Sequence, residues 1–195
     1  MKQVVIIHGG DSFSSYDDYI ENLKTSTVEY ERLKPQQKWK PWIAQQMPEA
    51  DVLLPTFPNS SNAVYDEWKI YFEKLLPLLG DDVQLVGHSL GAMFLAKYFQ
   101  DNQLDNRVKK LILIAGAYDE EHTADNGSFN VGAAGNVPKS ADEVHLFHSE
   151  DDPVVPFTEL AKFKADMSGA IAHTFTDRAH FNDATFPELL ELLKK

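Results

Sequence analysis

Residues 83–99 read VQLVGHSLGAMFLAKYF. Val83–Val86 is a short β-favouring run, and the apolar density from Met93 to Phe99 is that of a helix packed deeply across a sheet. Between them lies Gly87-His88-Ser89-Leu90-Gly91, a G-x-S-x-G pattern. Small residues two before and two after Ser89 let the chain turn sharply from strand to helix, leaving the serine hydroxyl exposed at the helix N-terminus. This strand, turn and helix predict an α/β architecture with Ser89 as a candidate nucleophile.

Working outward, Val4–Ile7 is a continuous apolar run suited to a strand buried on both faces, ended by His8-Gly9-Gly10. Further strands are expected at Asp51–Leu54, Lys110–Ala115, Val144–Phe147 and Ala170–Phe175. Helical stripes separate them. Trp39, Trp42, Ile43 and Met47 form one, and Val64, Trp68, Phe72, Leu75 and Leu76 another, with Asn62 as its expected cap. Phe157–Met167 and a C-terminal helix near Pro187 complete the set, whereas residues 118–140, rich in Gly, Asn, Asp and Ala, read as a loop. Strands alternating with helices predict a mostly parallel sheet in one layered domain spanning 1–195. Residues 12–38 make an unusually long connection, with short helices expected at Asp17–Leu23 and Val28–Leu33. They are read either as an excursion that buries its apolar side chains against the helices or in a dimer, or as a lid-like insertion, in which case Phe13 and Tyr16 are candidate substrate-pocket residues.

A serine hydroxyl needs a base near neutral pH. His180 follows the last expected strand and is the preferred base, with the adjacent His88 a weaker candidate because a sharp turn aims it elsewhere. Glu150, Asp151 and Asp152 follow the fifth strand, and Asp152, on a turn stiffened by Pro153 and Pro156, is the best-placed orienter, with Asp151 as a solvated neighbour or turn acceptor. The Leu90 amide and a donor from the first turn, Gly10 or alternatively Asp11, are the candidate oxyanion hole. The linear order Ser89, Asp152, His180 is that of an α/β-hydrolase.

Composition narrows the rest. Eighteen basic against thirty acidic side chains give a net charge of −12, which opposes nucleic-acid binding. The basic residues within Lys34–Lys40 and Arg107–Lys110 read as solvated faces. Absence of cysteine excludes disulfides, thiolate-bound zinc and thiol nucleophiles. The remaining histidines, His8, His122, His145, His148 and His173, lack a ligand frame, and neither dinucleotide nor phosphate-loop glycines occur, so no metal or cofactor is expected. No apolar run approaches the ~20 residues of a membrane span, and a cytoplasmic setting is expected.

The set VVIIHG, KWKPWI, DEWKIYF, LVGHSLGA, SEDDPVVPF and RAHFNDATFPEL, in this order, resembles the retinoblastoma-binding protein 9/YdeN-like family of small serine hydrolases. The resemblance implies six strands in the order 2-1-3-4-5-6, helices on both faces, and a nucleophile, acid and base at Ser89, Asp152 and His180. It implies hydrolysis of a small-molecule carboxylic ester through an acyl-enzyme. A thioester or amide substrate, or a hydrolase-derived protein-binding module, is the alternative. The chain departs from the family in its longer 12–38 segment and in Ala179, where glycine is common.

Overall fold

The computed structural model describes residues 2–104, 106–119 and 125–195. Six strands form one sheet: β1 (Gln3–Ile7), β2 (Asp51–Leu53), β3 (Val83–His88), β4 (Val108–Ile114), β5 (Ala141–Ser149) and β6 (Ile171–Phe175). Their order is β2-β1-β3-β4-β5-β6, and all five pairings are parallel. The parallel sheet is the one expected from the apolar runs and its order the one the resemblance implies, with β3 and β5 extending beyond the boundaries those runs suggest.

Because side chains alternate across a strand, each central strand feeds two cores. Val5, Ile7, Leu85, Leu111, Leu113 and Leu146 point to one face. There they meet α3 (Tyr65–Leu75), α4 (Leu90–Asp101) and α5 (Thr158–Asp166). Phe57, Trp68, Phe72, Phe94 and Phe129 are fully buried in this layer, with ring centroids 4.8–5.8 Å apart for the Trp68–Phe57, Trp68–Phe129 and Trp68–Phe94 pairs. Truncating one such ring to alanine costs about 3–5 kcal/mol. Val4, Ile6, Val86, Ile112, Ile114 and Phe147 point the other way. They pack on Trp39 and Ile43 of α2 (Trp39–Gln46) and on Leu189, Leu190 and Leu193 of α6 (Pro187–Lys194).

The free carbonyls ending α6 accept from the sheet's N-terminal edge. Lys110 Nζ bonds Leu192 O at 2.9 Å, Gln84 Nε2 bonds Leu193 O at 3.0 Å, and Lys2 Nζ bonds the Leu193 and Lys194 oxygens. Cations thus complement the helix's negative end from outside the helix, rather than Lys194 and Lys195 alone.

Three local expectations change. Asn62 does not cap α3: the cap position is Val64, which makes no side-chain bond and is exposed rather than part of the apolar stripe. Val28–Leu33 contains only a single 3₁₀ turn, Tyr30–Leu33, and α1 (Tyr16–Thr25) buries no residue. With few periodic apolar contacts available to it, this polar excursion forms helix by local capping alone, Ser15 accepting from the Asp18 amide. Between β4 and β5 the described residues form two 3₁₀ turns; Glu121 and His122 lie outside the described residues. No helix among the described residues is long and apolar enough to cross a membrane.

Candidate active site

The carboxyl ends of β1, β3, β5 and β6 present the chemistry-bearing turns. Ser89 sits between β3 and α4 with φ 57° and ψ −121°, a strained left-handed conformation held by its own N–H donating to Ile114 O at 2.8 Å. The turn closes only because Gly91 lacks a side chain. A Cβ there would stand 2.6 Å from the His8 carbonyl oxygen and 2.7 Å from that of Ile7. Backbone cannot yield to such contacts as a side-chain tip can.

Ser89 Oγ lies 2.9 Å from His180 Nε2, and His180 Nδ1 lies 2.8 Å from Asp152 Oδ2. The three residues meet across loops 91 and 28 positions apart in sequence. Asp152's side chain is fully buried, and its Oδ1 also accepts the Val154 and Val155 N–H groups at 2.8 and 3.0 Å. Burial pushes its pKa upward, but the bonds from His180, Val155 and Val154 outweigh it and hold the carboxyl below the ordinary value of 3.8. His148 steadies the same turn, with Nε2 donating to Val155 O at 3.0 Å.

His180 is flanked by two non-glycine residues in the left-handed region, Ala179 at φ 42° and Phe181 at φ 52°. Neighbours tie this loop down. Asp151 Oδ1 accepts the Ala179 N–H at 2.9 Å and the Ser149 hydroxyl, so Asp151 is a tether to the His180 loop rather than merely solvated. Trp39 Nε1 donates to Phe181 O at 2.8 Å.

At the end of β1, His8 bridges the glycine turn to the next loop: its Nδ1 lies 2.6 Å from Gly9 O, and its Nε2 accepts the Phe57 N–H at 2.9 Å. These partners set the neutral Nδ1–H tautomer. The Asp11 N–H is committed to Ser60 O at 2.9 Å, which disfavours it as an oxyanion donor. Neither the Gly10 nor the Leu90 N–H has an acceptor among the described residues.

His88 is not placed as the base. Its buried ring directs Nε2 at His180 O, 2.9 Å away, and Nδ1 at Lys40 Nζ, 3.2 Å away. Burial, then the nearby Lys40 and His180, hold its pKa well below 6.5, so the neutral ring donates from Nε2 and accepts at Nδ1. Lys40 is therefore part of the site's framework and not of a solvated face. Burial and the Lys38 charge lower its pKa to about 8.

A cleft of 620 Å³ opens beside His180. Ala179, Asn182, Pro153 and Val154 border it on one side; Glu31, Gln36, Gln37, Lys38, Trp39 and Lys40 border it on the other. Phe13 and Tyr16 are not on this border. Tyr16 is exposed, and both rings lie against Tyr19. The polar wall was missed because a search for apolar side chains in residues 12–38 passes over its glutamines and lysines; the one signal for it is Lys40 adjoining a tryptophan that packs inward.

Residues 30–194 match the family model described as serine hydrolase. The chain is 28% identical over 168 residues to the serine hydrolase RBBP9 of Rattus norvegicus, covering 80% of this chain and 84% of that protein. It is 24% identical over 190 residues to the putative hydrolase YdeN of Bacillus subtilis, covering 92% and 86%. The crystal structure of the B. subtilis ydeN gene product superimposes with a TM-score of 0.79 at 20% identity, over 100% of this chain and 97% of that one. Est1E of Butyrivibrio proteoclasticus, solved with ferulic acid bound, gives a TM-score of 0.59 at 16% identity, over 100% and 87%.

Proposed function

The chain belongs to the serine hydrolase family, and from that premise we propose that it hydrolyses carboxylic esters through a Ser89–His180–Asp152 triad and an acyl-enzyme. The observation that carries the reading is the unbroken hydrogen-bonded line from Ser89 Oγ through both His180 nitrogens to Asp152. Ser89 Oγ attacks the ester carbonyl as His180 Nε2 takes its proton; buried Asp152 keeps the proton on Nδ1 and stabilises the imidazolium. The Leu90 and Gly10 N–H groups receive the tetrahedral oxyanion. His180 then protonates the departing alkoxide, and water activated by the same nitrogen releases the acid and restores Ser89.

Residues 12–38 act in this reading as a lid-like insertion. Their helix α1 buries nothing, while their far end, Glu31 to Lys38, borders the cleft at His180. The substrate is a small molecule that reaches the sheet edge under this roof.

Activity-based labelling with a fluorophosphonate, on the wild-type chain and on Ser89→Ala in parallel, tests the assignment. The expected result is a single adduct on the peptide containing Ser89, absent from the variant. A folded wild-type chain that takes no label overturns it.

A further inference from the structure

Resting on the hydrolase reading above, the geometry points to the cleft beside His180 as the subsite for a leaving group that carries a carboxylate, held by Lys38 and Lys40. The first argument is position. The cleft is bordered by Ala179, His180 and Asn182 and by Pro153 and Val154 of the acid turn; Ser89 and Gly10 are not on its border. In ester cleavage the oxygen protonated by His180 Nε2 belongs to the departing alcohol, so a cleft that borders His180 but neither Ser89 nor Gly10 suits that half of the substrate rather than the acyl half.

The second argument is charge. Glu31 is the carboxylate on the opposite wall, and both its oxygens lie 2.7 Å from the Lys34 ammonium, so its charge is matched. Lys38 and Lys40 have no carboxylate within ion-pair distance among the described residues. Two unmatched cations thus face one cleft in a chain of net charge −12. Such a local reversal of sign concentrates an anion that the rest of the surface repels.

The third argument is that Lys40 is held in place. It donates one N–H to His88 Nδ1, and its ammonium lies 4.5 Å from the centre of the Trp39 ring. Two N–H groups remain for a ligand. Gln36, Gln37 and Asn182 supply further polar groups, so this wall suits a charged or hydrogen-bonding group better than a long alkyl chain.

Binding there leaves the bond changes as described: the acyl–oxygen bond breaks, the Ser89 proton passes through His180 to the departing oxygen, and water regenerates the serine.

The test compares 4-acetoxybenzoate with methyl 4-acetoxybenzoate, reading release of the phenol. The neutral compound has the more electron-withdrawing substituent and the better leaving group, so a preference for the carboxylate has to come from binding. The wild-type kcat/KM is expected to favour the carboxylate about tenfold, and Lys38→Met or Lys40→Met to reduce that ratio severalfold, with Lys38→Arg retaining it. The neutral ester reports in each variant any damage to His180 itself. A wild-type ratio of one or below, or a ratio unmoved by both Met variants, overturns the subsite.

An NMR titration of 4-hydroxybenzoate and its methyl ester into Ser89→Ala separates the two claims. If neither acetate ester turns over but 4-hydroxybenzoate alone binds, in a Lys38-dependent way, the subsite stands and the hydrolase reading falls. If the neutral ester turns over and the two phenols bind alike, the subsite falls and the hydrolase reading stands. If nothing turns over and neither phenol binds, both fall.

Discussion

His88 Nε2 donates to the carbonyl oxygen of His180, so the residue preceding Ser89 holds the backbone of the proposed base 92 positions away. In the proposed reaction this bond moves no proton; it sets where the imidazole sits. His88→Phe removes it together with the acceptor for Lys40, and kcat is expected to fall about 10–100-fold with KM for a neutral ester little changed, as for a displacement of a reacting group by about 1 Å. His88→Gln, which can still donate and accept, is expected to retain more of kcat. Equal kcat values for wild type and His88→Phe would show that the His180 loop needs no such support.

The two adjacent acids are expected to behave differently. Asp152→Asn leaves the packing intact but favours the wrong imidazole tautomer, and turnover is expected to drop by about four orders of magnitude with an unchanged circular dichroism spectrum. Asp151→Asn keeps the oxygen that accepts from Ala179 and is expected to change little. Asp151→Ala frees that N–H, and a loss of about tenfold in kcat is expected from a looser base. Steady-state kinetics on the three variants decide the order.

Gly91→Ala forces a methyl group against two backbone carbonyls. We expect a loss of about 2–3 kcal/mol, the ordinary cost of overpacking, read as a fall of roughly 5–10 °C in melting temperature. Because the same turn carries the Leu90 N–H, kcat is expected to fall in whatever fraction remains folded.

Stability is expected to decline on mild acidification. Burial is the largest cause holding His88, His145, His148 and His173 below the ordinary imidazole value of 6.5, and His145 and His173 further lie ring nitrogen to ring nitrogen at 3.0 Å. Between their folded values and 6.5 the unfolded chain binds more protons, so stability is full above that pH and is lost as pH falls below it. Asp152, whose carboxyl is held below 3.8, adds a second loss at lower pH as it protonates. Melting temperatures from pH 8 to pH 3 are expected to show a plateau and then two descending steps; a flat profile down to pH 4 contradicts the first.

The sheet was legible because strands buried on both faces are written as apolar runs, as in Val4–Ile7 and Leu111–Ile114. Ser89, Asp152 and His180 were legible as candidates for a related reason: each lies within five residues of a strand's carboxyl end, and parallel strands bring those ends to one edge. Contacts without a periodic signal were not. Lys40 and His88 are 48 positions apart, and nothing in the spacing of either announces the bond between them. Asn62 looked like a cap because its side chain suits one, yet its backbone N–H bonds Asn59 O in a tight turn and α3 starts later. Apolarity drew attention to Phe13 and Tyr16, while the cleft wall beside His180 is built from glutamine and lysine, residues that a sequence places on the surface by default.

Ala179 and Phe181, both left-handed without being glycine, cost about 2–4 kcal/mol together. The bonds that tie the loop from outside, to His88, Asp151, Ser149 and Trp39, return a similar amount at about 1 kcal/mol each. Burial of the Phe181 ring against Phe175 and Phe186 adds about 1.5–3 kcal/mol to the favourable side, so the strain is outweighed and the loop is pinned to the core under the sheet edge. The loop therefore keeps its place only while its outside anchors are intact: in Asp151→Ala the amides of residues 178–182 are expected to exchange for deuterium faster than in the wild type, while those of β3 and β4 stay as slow.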